Sequence, residues 1–119
     1  MSALANAPFR LPRQPSEAQL LAKYFRAFGD PTRLQMLELL RERELTVGEL
    51  VEQVGSSQPR VSAHLACLRW CGFVRARRHG RAVFYRLADE RVGALIDLAR
   101  ALLAENAEHL AACGMLERS

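Results

Sequence analysis

Apolar residues recur at helical spacing along most of the chain, and polar cap and turn residues separate the apolar stretches. A first helix is predicted between Ser16, a favoured cap residue, and Gly29. Asp30 and Pro31 then open a second helix, with Asp30 as N-cap and Pro31 at the first helical position, where a missing N–H is tolerated. The apolar residues are Leu20, Leu21, Tyr24, Phe25 and Phe28 in the first helix, and Leu34, Met36, Leu37 and Leu40 in the second.

Two short helices joined by a tight turn are predicted in the middle of the chain. Thr46 and Glu49 form the Thr-x-x-Glu pattern of a capping box, which opens a third helix that ends at Gly55. Residues 56–59 form a turn with a second cap, and a fourth helix follows to about Trp70. This arrangement is the plan of a helix-turn-helix motif. The apolar residues of the fourth helix are Val61, Leu65 and Leu68.

A β-hairpin and a long helix are predicted after Gly72. Residues 73–77 form the first strand, His79 and Gly80 the turn, and residues 82–87 the returning strand with alternating side chains. Asp89 caps the last helix, which has an apolar stripe of about five turns. A hairpin directly after a helix-turn-helix is a wing, so the predicted fold is mainly α with a β-hairpin wing, a winged helix-turn-helix. The stripe is Val92, Leu95, Ile96, Ala99, Leu102, Leu103 and Leu110.

The chain divides into a flexible N-terminal arm (1–15, with three prolines), one domain (16–112) and a C-terminal tail (113–119). The first and last helices carry more apolar surface than so small a domain can cover. The two helices either bury this surface within one chain or pair with a second copy. We favour a homodimer through these helices, because two-fold symmetric readers of DNA place their recognition helices about 34 Å apart.

Charge is distributed unevenly in this chain of net charge +4. Between Gln53 and Ala88 there are seven arginines and no acid, whereas the stretch from Leu37 to Glu52 contains five glutamates. One strongly positive face is what phosphate contact requires, although net charge alone is equally explained by solubility. The N-terminus lacks an apolar signal core and no stretch is long enough to span a bilayer, so we expect a cytoplasmic protein with reduced thiols and no membrane partner.

Several motifs together resemble the ArsR/SmtB family of winged-helix metal-sensing repressors. The resemblance covers nearly all of the chain after residue 16, and it rests on the order and spacing of the motifs. It implies a protein that binds double-stranded operator DNA and has neither a small-molecule substrate nor an enzymatic activity. The segments that carry it are residues 28–34 (FGDPTRL), 57–65 (SQPRVSAHL), 72–74 (GFV) and 80–87 (GRAVFYRL).

The resemblance assigns DNA contacts to the fourth helix and to the wing, in agreement with the residue chemistry. Gln58 can pair with adenine and Arg60 with guanine. Ser57 is equally placed to act only as a cap, and a basic cluster on a wing is otherwise read as a solvated charge run. The predicted DNA-binding residues are Ser57, Gln58, Arg60, Ser62 and His64 in the helix, where Ser62 and His64 are alternatively solvent-facing, and Arg77, Arg78, His79 and Arg81 in the wing.

Cys67 and Cys71 are candidate metal ligands. They lie four positions apart on one helix, so that their side chains share a face about 5–6 Å apart at Cβ. One soft metal ion can bridge two such thiolates, but two cysteines in a core stripe are an ordinary alternative. The third cysteine, Cys113, lies near the end of the last helix or in the tail. An odd number of cysteines at low density argues against a disulfide scaffold.

The segment from Ala63 to Gly72 resembles the CmtR-type cadmium/lead sensors, a branch of the same family. That resemblance implies a metal site of Cys67, Cys71 and Cys113, with Cys113 contributed by the other protomer. Three thiolates favour a thiophilic ion such as Cd(II), Pb(II), Hg(II), As(III) or Zn(II) without ranking these metals, and the resemblance puts Cd(II) or Pb(II) first, with Hg(II) or Zn(II) also accepted. We therefore expect a repressor that binds its operator as a metal-free dimer and releases it when metal binds.

Three other readings of the cysteines stay open. The same scaffold can be a thiol-based redox-sensing regulator, because two cysteines on successive helical turns are close to disulfide range. The negative end of the helix, however, disfavours a thiolate there. An enzyme with Cys67 as nucleophile and His64 as base lacks an orienting carboxylate and an oxyanion site. A regulator with inert cysteines is the third reading.

Overall fold

The computed structural model describes residues 14–114, which form five helices and one two-stranded hairpin. The order of elements is the order predicted from the sequence, and the fold is a winged helix-turn-helix. The predicted arm of residues 1–15 lies almost wholly outside the described residues. The elements are α1 (Glu17–Phe28), α2 (Pro31–Glu42), α3 (Val47–Val54), α4 (Gln58–Trp70), β1 (Val74–His79), β2 (Ala82–Leu87) and α5 (Glu90–Ala111).

Every helix begins at the cap residue that the sequence predicts. The Asp30 carboxylate accepts a hydrogen bond from the backbone N–H of Arg33 at 2.9 Å, and Thr46 and Glu49 form the reciprocal capping box. Ser16 forms a second capping box with Gln19, which the sequence reading did not anticipate. Each cap satisfies backbone donors that the first helical turn leaves without an acceptor.

The helix-turn-helix is formed by α3 and α4. Gly55 ends α3 in the left-handed region with φ 66°, a conformation that glycine adopts without the steric penalty of a Cβ atom. Ser57 then caps α4, and its hydroxyl oxygen accepts a hydrogen bond from the backbone N–H of Arg60 at 3.4 Å. The tight turn therefore fixes where the exposed first half of α4 begins.

The wing differs from its prediction at both ends of the first strand, which was predicted at residues 73–77 and is Val74–His79. His79 belongs to β1 and pairs with Ala82, so that the turn consists of Gly80 and Arg81. The prediction that His79 and Gly80 form the turn is wrong, because the residue with positive φ is Gly80, at 64°, and it takes the first turn position. Phe73, predicted as the first strand residue, instead lies just before β1, where its side chain is buried.

One apolar core joins the helices to the wing. Phe73 is 1% exposed and contacts the rings of Tyr24 and Phe28, with centroids 4.5 and 4.7 Å away. A bridge between Leu45 and Tyr85 attaches β2 to the segment between α2 and α3. The buried core residues are Ala27, Met36, Leu37, Leu40, Leu45, Leu50, Val61, Leu65, Leu68, Phe73, Val74, Val92 and Ile96.

Much of α1 and α5 is apolar and exposed. The predicted stripe of α5 divides into two parts, because Val92 and Ile96 enter the core while the later leucines do not. No helix within residues 14–114 has the length and apolarity needed to cross a bilayer. The exposed large apolar side chains of the two helices are Leu20, Leu21, Tyr24 and Phe25 in α1, and Leu95, Leu98, Leu102, Leu103 and Leu110 in α5.

Candidate nucleic-acid interface and thiol pair

The first half of α4 presents polar side chains to solvent. Val61, Leu65 and Leu68 anchor the opposite face of the helix in the core. Helical periodicity then leaves the remaining side of the first two turns open. A helix held in this way can lie in a major groove and place its N-terminal side chains against base edges. The exposed polar residues on that side are Ser57, Gln58, Arg60 and Ser62, four of the five predicted for this helix.

His64 lies apart from these four residues. Its side chain is only 15% exposed and packs against the start of α2. Nδ1 lies 3.4 Å from Nη1 of Arg33, and Nε2 lies 3.8 Å from Oδ2 of Asp30. The hydrogen bond from the backbone N–H of Arg33 is the main cause that lowers the pKa of Asp30, and the charge of Arg33 acts in the same direction. The imidazole therefore faces an ionised carboxylate.

The arginines of the wing differ in how strongly they are already paired. Nε of Arg77 donates a hydrogen bond of 2.6 Å to Glu44, and the guanidinium lies 5.1 Å from the ring centre of Phe84. Arg78, His79 and Arg81 are exposed around the tip of the hairpin. The tip therefore presents two guanidinium groups and an imidazole to solvent, which are groups that can meet a phosphate backbone.

Cys67 and Cys71 lie close together at the C-terminal end of α4. Both are half-buried, and Cys71 packs against the core. Burial and then the neighbouring Cys67 thiol raise the pKa of Cys71 above its ordinary value of 9.0, with Lys23 and Arg33 acting in the opposite direction. Cys71 is therefore a thiol at neutral pH, and a metal ion that binds it must displace a proton.

Cys113 follows α5 and is half-buried, and its backbone N–H donates to the carbonyl of Leu110 at 3.1 Å. Within residues 14–114 no group of three or more histidine, cysteine or acidic side chains is placed to hold a metal ion. One protomer therefore brings together two of the three predicted ligands, and the assignment of Cys113 stays a prediction.

Arg33 is a structural centre that the sequence reading missed. Its Nε donates to the carbonyl of Ala27 at 2.8 Å and its Nη2 to that of Arg26 at 3.1 Å, in addition to the contact with His64. It thus ties the last turn of α1 to the first turn of α2. A cation in the first turn of a helix opposes the helix dipole, which is a sequence signal that such a residue has another partner.

A second arginine ties α2 to α5. Nη1 and Nη2 of Arg41 each donate to the carboxylate of Asp97 at 2.8 Å, and Glu38 and Arg100 extend the network. The hydrogen bonds from Arg41 lower the pKa of Asp97. A Cβ atom at Gly93 would lie 2.6 Å from Nε of Arg41, so the absence of a side chain at residue 93 leaves room for the guanidinium in the position from which it binds Asp97.

Comparison with known proteins places the chain in a family. Residues 30–76, from the cap of α2 into β1, match the model of the bacterial regulatory proteins of the arsR family. A protein of Streptomyces lividans named "Probable mercury resistance operon repressor" is 51% identical over 92 residues, which cover 77% of this chain and 74% of that protein. The chain belongs to the arsR family of bacterial regulatory proteins. The regulator is also 42% identical over 85 residues to the transcriptional regulator CmtR of Mycobacterium bovis, covering 71% of this chain and 72% of CmtR.

Solved structures agree with this assignment. The crystal structure of Rv0081 from Mycobacterium tuberculosis matches with a TM-score of 0.75 and 36% identity, covering 83% of the regulator and all of that chain. The homodimeric winged helix-turn-helix domain of Mb0332 from Mycobacterium bovis matches with a TM-score of 0.69 and 32% identity, covering 80% and 93%. Reduced HlyU from Vibrio cholerae matches with a TM-score of 0.64 and 38% identity, covering 71% and 90%. The regulator is a DNA-binding transcription factor of this fold.

Proposed function

We propose that the regulator is a metal-responsive repressor, which binds operator DNA as a metal-free homodimer and releases it when a thiophilic metal ion binds cysteine thiolates. The observation that carries the proposal is the position of Cys67 and Cys71, which lie together at one end of the helix whose other end presents Gln58 and Arg60. Metal and DNA then act on the same rigid element.

Thiolate ligands set the class of metal. Cys67 and Cys71 supply two sulfur donors, and Cys113 is the proposed third. Sulfur donors suit thiophilic ions such as Cd(II), Pb(II), Hg(II) and Zn(II), and they do not rank these ions by themselves. The relative named as a mercury resistance repressor and the resemblance to CmtR-type sensors support a soft ion in this range. Cd(II) and Pb(II) are the effectors we propose first.

The exposed apolar faces of α1 and α5 support the dimer. Phe25 is 61% exposed, Leu98 62% and Leu102 59% in the single chain. Burial removes about 25 cal/mol from the free energy for each Å² of apolar surface. The homodimeric structure of Mb0332 has the same fold. A second copy that covers these faces also offers the partner's C-terminal segment as the source of Cys113.

The coupling between metal binding and DNA binding follows from the rigidity of α4. Arg60 and Cys71 are separated by eleven residues, or about 16 Å of helix at 1.5 Å per residue. A third ligand that pulls the Cys71 end therefore tilts the end that carries Arg60. The two ligands oppose each other through one coupling free energy, typically about 1–3 kcal/mol, which is the same in both directions.

An anaerobic titration of the reduced protein with Cd(II) tests the metal site. The ultraviolet charge-transfer absorption between thiolate and metal should saturate, and it should weaken in Cys67→Ser, Cys71→Ser and Cys113→Ser. Ala66→Ser, at an exposed position beside Cys67, is the matched control and should titrate like the wild type. No band, or a band indifferent to all three replacements, would refute the metal site.

Operator binding by fluorescence anisotropy, with and without Cd(II), tests the direction of the response. We expect metal to weaken binding, and tighter binding in its presence would contradict the proposal. Trp70 offers a second readout of metal arrival, because it is the only tryptophan, is 89% exposed and is adjacent to Cys71. Parallel titrations with Pb(II), Hg(II) and Zn(II) then rank the metals.

A redox-sensing regulator is the second candidate, because Cys67 and Cys71 lie close together and reduced HlyU shares the fold. The raised pKa of Cys71 weighs against it, since the thiolate is the reactive form. Reversible loss of operator binding under peroxide, restored by dithiothreitol and without any effect of metal, would favour the redox reading. A metal response with no effect of peroxide would exclude it.

A further inference from the structure

The His64 side chain ends in a buried nitrogen that lacks a hydrogen bond. Nε2 has no partner within residues 14–114, and its closest carboxylate oxygen, Oδ2 of Asp30, is 3.8 Å away. A buried polar atom left without a partner costs about 1–3 kcal/mol, so native structures rarely keep one without a reason. A small movement of α4 would remove this penalty.

The chemistry of the two side chains shows which atom donates and which accepts in the contact between Arg33 and His64. A guanidinium has only donors, so Nδ1 of His64, 3.4 Å from Nη1 of Arg33, is the acceptor. In a neutral imidazole the proton is then on Nε2, the nitrogen that faces Asp30. Charge-assisted hydrogen bonds usually measure about 2.7–2.9 Å, so a shift of about 1 Å would close the bond between Nε2 and the carboxylate.

The thiol pair shares a face of α4 with this histidine. Cys67 is three positions after His64 and Cys71 is seven, which is about two helical turns. Cys71 also packs against the apolar core. One side of α4 therefore carries both the imidazole, which lies against the start of α2, and the thiol pair.

We propose that Arg33 and His64 are positioning residues that transmit metal binding at the thiol pair to the DNA-reading end of α4. In the operator-binding conformation α4 lies closer to α2, and Nε2 of His64 donates to Asp30. Cys67 and Cys71 would hold the metal, and their joining to a third ligand would move this face of α4 away from α2 and open the contact between His64 and Asp30. Arg33 supplies the fixed point, because its guanidinium is held by two carbonyls of α1.

This inference rests on the proposed function and revises one predicted role. His64 acts on DNA affinity through the position of α4, and it touches no base. Replacing a residue that reads a base weakens the protein's discrimination at one base pair. Replacing a positioning residue changes the protein's affinity for all operator variants alike. The two roles are therefore separable in one binding experiment.

The experiment compares His64→Leu with His64→Gln. Leucine removes both ring nitrogens, including the buried unpaired Nε2, so the fold should be retained. Glutamine can accept from Arg33 with its carbonyl and donate to Asp30 with its amide. Operator affinity is measured for each full-length protein with and without Cd(II), and across single-base operator variants. Thiolate–metal absorption is recorded on the same samples.

In the wild type we expect Cd(II) to weaken operator binding by about 5- to 150-fold, the usual range of allosteric coupling. In His64→Leu the operator affinity of the metal-free protein should fall toward that of the metal-bound protein. The ratio of the affinity without Cd(II) to the affinity with Cd(II) should then be below about threefold, and the thiolate–metal absorption band should be intact. His64→Gln should stay within about twofold of the wild-type ratio. The losses should be uniform over the operator variants.

If Cd(II) weakens operator binding by the same factor in His64→Leu as in the wild type, the inference is refuted while the proposed function stands. A loss of affinity confined to one base pair would refute the inference in the same way. If the wild type binds no Cd(II), or if Cd(II) does not change its operator affinity, both the proposed function and the inference are refuted. Arg33→Lys cannot reach all three partners and should lower the ratio in the same way. Combined with His64→Leu it should add nothing further, because the two residues act as one unit.

Discussion

Phe73 joins three parts of the regulator, and truncating it should destabilise the fold strongly. Its side chain is 1% exposed, and it contacts the rings of Tyr24 and Phe28. Its backbone N–H donates to the carbonyl of Leu68 at 2.9 Å, and its carbonyl accepts from Ala88 at 3.0 Å. The residue therefore links the end of α4 to α1 and to both ends of the wing.

We expect Phe73→Ala to lower the free energy of unfolding by about 3–5 kcal/mol, the usual loss for a buried phenylalanine. The two ring contacts, each about 0.5–1.5 kcal/mol beyond area burial, place the loss in the upper half of that range. With a urea m-value of about 1.5 kcal/mol/M, a loss of about 4–5 kcal/mol should lower the unfolding midpoint by about 3 M. Circular dichroism at a fixed protein concentration is the assay, because dimerisation makes apparent stability depend on concentration.

Phe84→Ala is the matched control. Phe84 is a half-buried phenylalanine on the wing, in contact with Arg77. Losing that cation–π contact costs about 0.5–1 kcal/mol at an exposed site, so the control should fall well short of Phe73→Ala. Equal losses for the two variants, or a loss below about 1.5 kcal/mol for Phe73→Ala, would show that the ring does not anchor the wing as the contacts indicate.

Three further predictions concern charge and backbone conformation. Arg78→Ala should lower the slope of log affinity against log salt by about one, measured by operator titration, whereas Arg77→Ala should change it less because that guanidinium is already ion-paired. An equal slope change in both would contradict this. Gly55→Ala should cost about 1–2 kcal/mol, since φ is positive there and no neighbour lies within 4 Å of the added carbon, while the helical Gly48→Ala should not destabilise α3 in the same urea assay. Asp30→Asn keeps the cap but removes a carboxyl of lowered pKa, whose stabilisation is present above the ordinary value of 3.8 and lost as pH falls below it. Unfolding measured between about pH 6 and pH 3 should therefore be less acid-sensitive in the variant, and identical acid limbs would count against the role given to the charge.

Local chemistry made the elements predictable. Asp30, Thr46 and Ser57 mark helix starts because each cap acts within three residues of chain, and Gly55 marks an end for the same reason. The wing turn was misplaced because His79 and Gly80 are both acceptable in a turn, and the choice between two positions depends on strand register. Register is a property of two strands, which one strand's pattern does not contain.

Side-chain contacts between elements that are distant in the sequence were harder to predict from the sequence. His64 occupies a position in α4 from which a polar side chain can face either DNA or α2, and only the packing of the helices selects α2. Arg33 reaches its carbonyl partners six and seven residues back, across a helix boundary. Helical spacing alone was enough to pair Cys67 with Cys71, whereas the role proposed for Cys113 rests on a resemblance and involves a second protomer.

Gly93 has a consequence for the geometry of the dimer. Its missing side chain leaves room for Arg41 beside α5, where the guanidinium donates to Asp97 with both terminal nitrogens and adds a tie between α2 and α5 at the angle where α5 leaves the DNA-binding body. A dimer paired through α5 inherits that angle twice, once in each copy. The distance between the two recognition helices of such a dimer, and so the operator spacing it would accept, would then depend on an angle tied at a position outside the proposed DNA contacts and the proposed metal ligands.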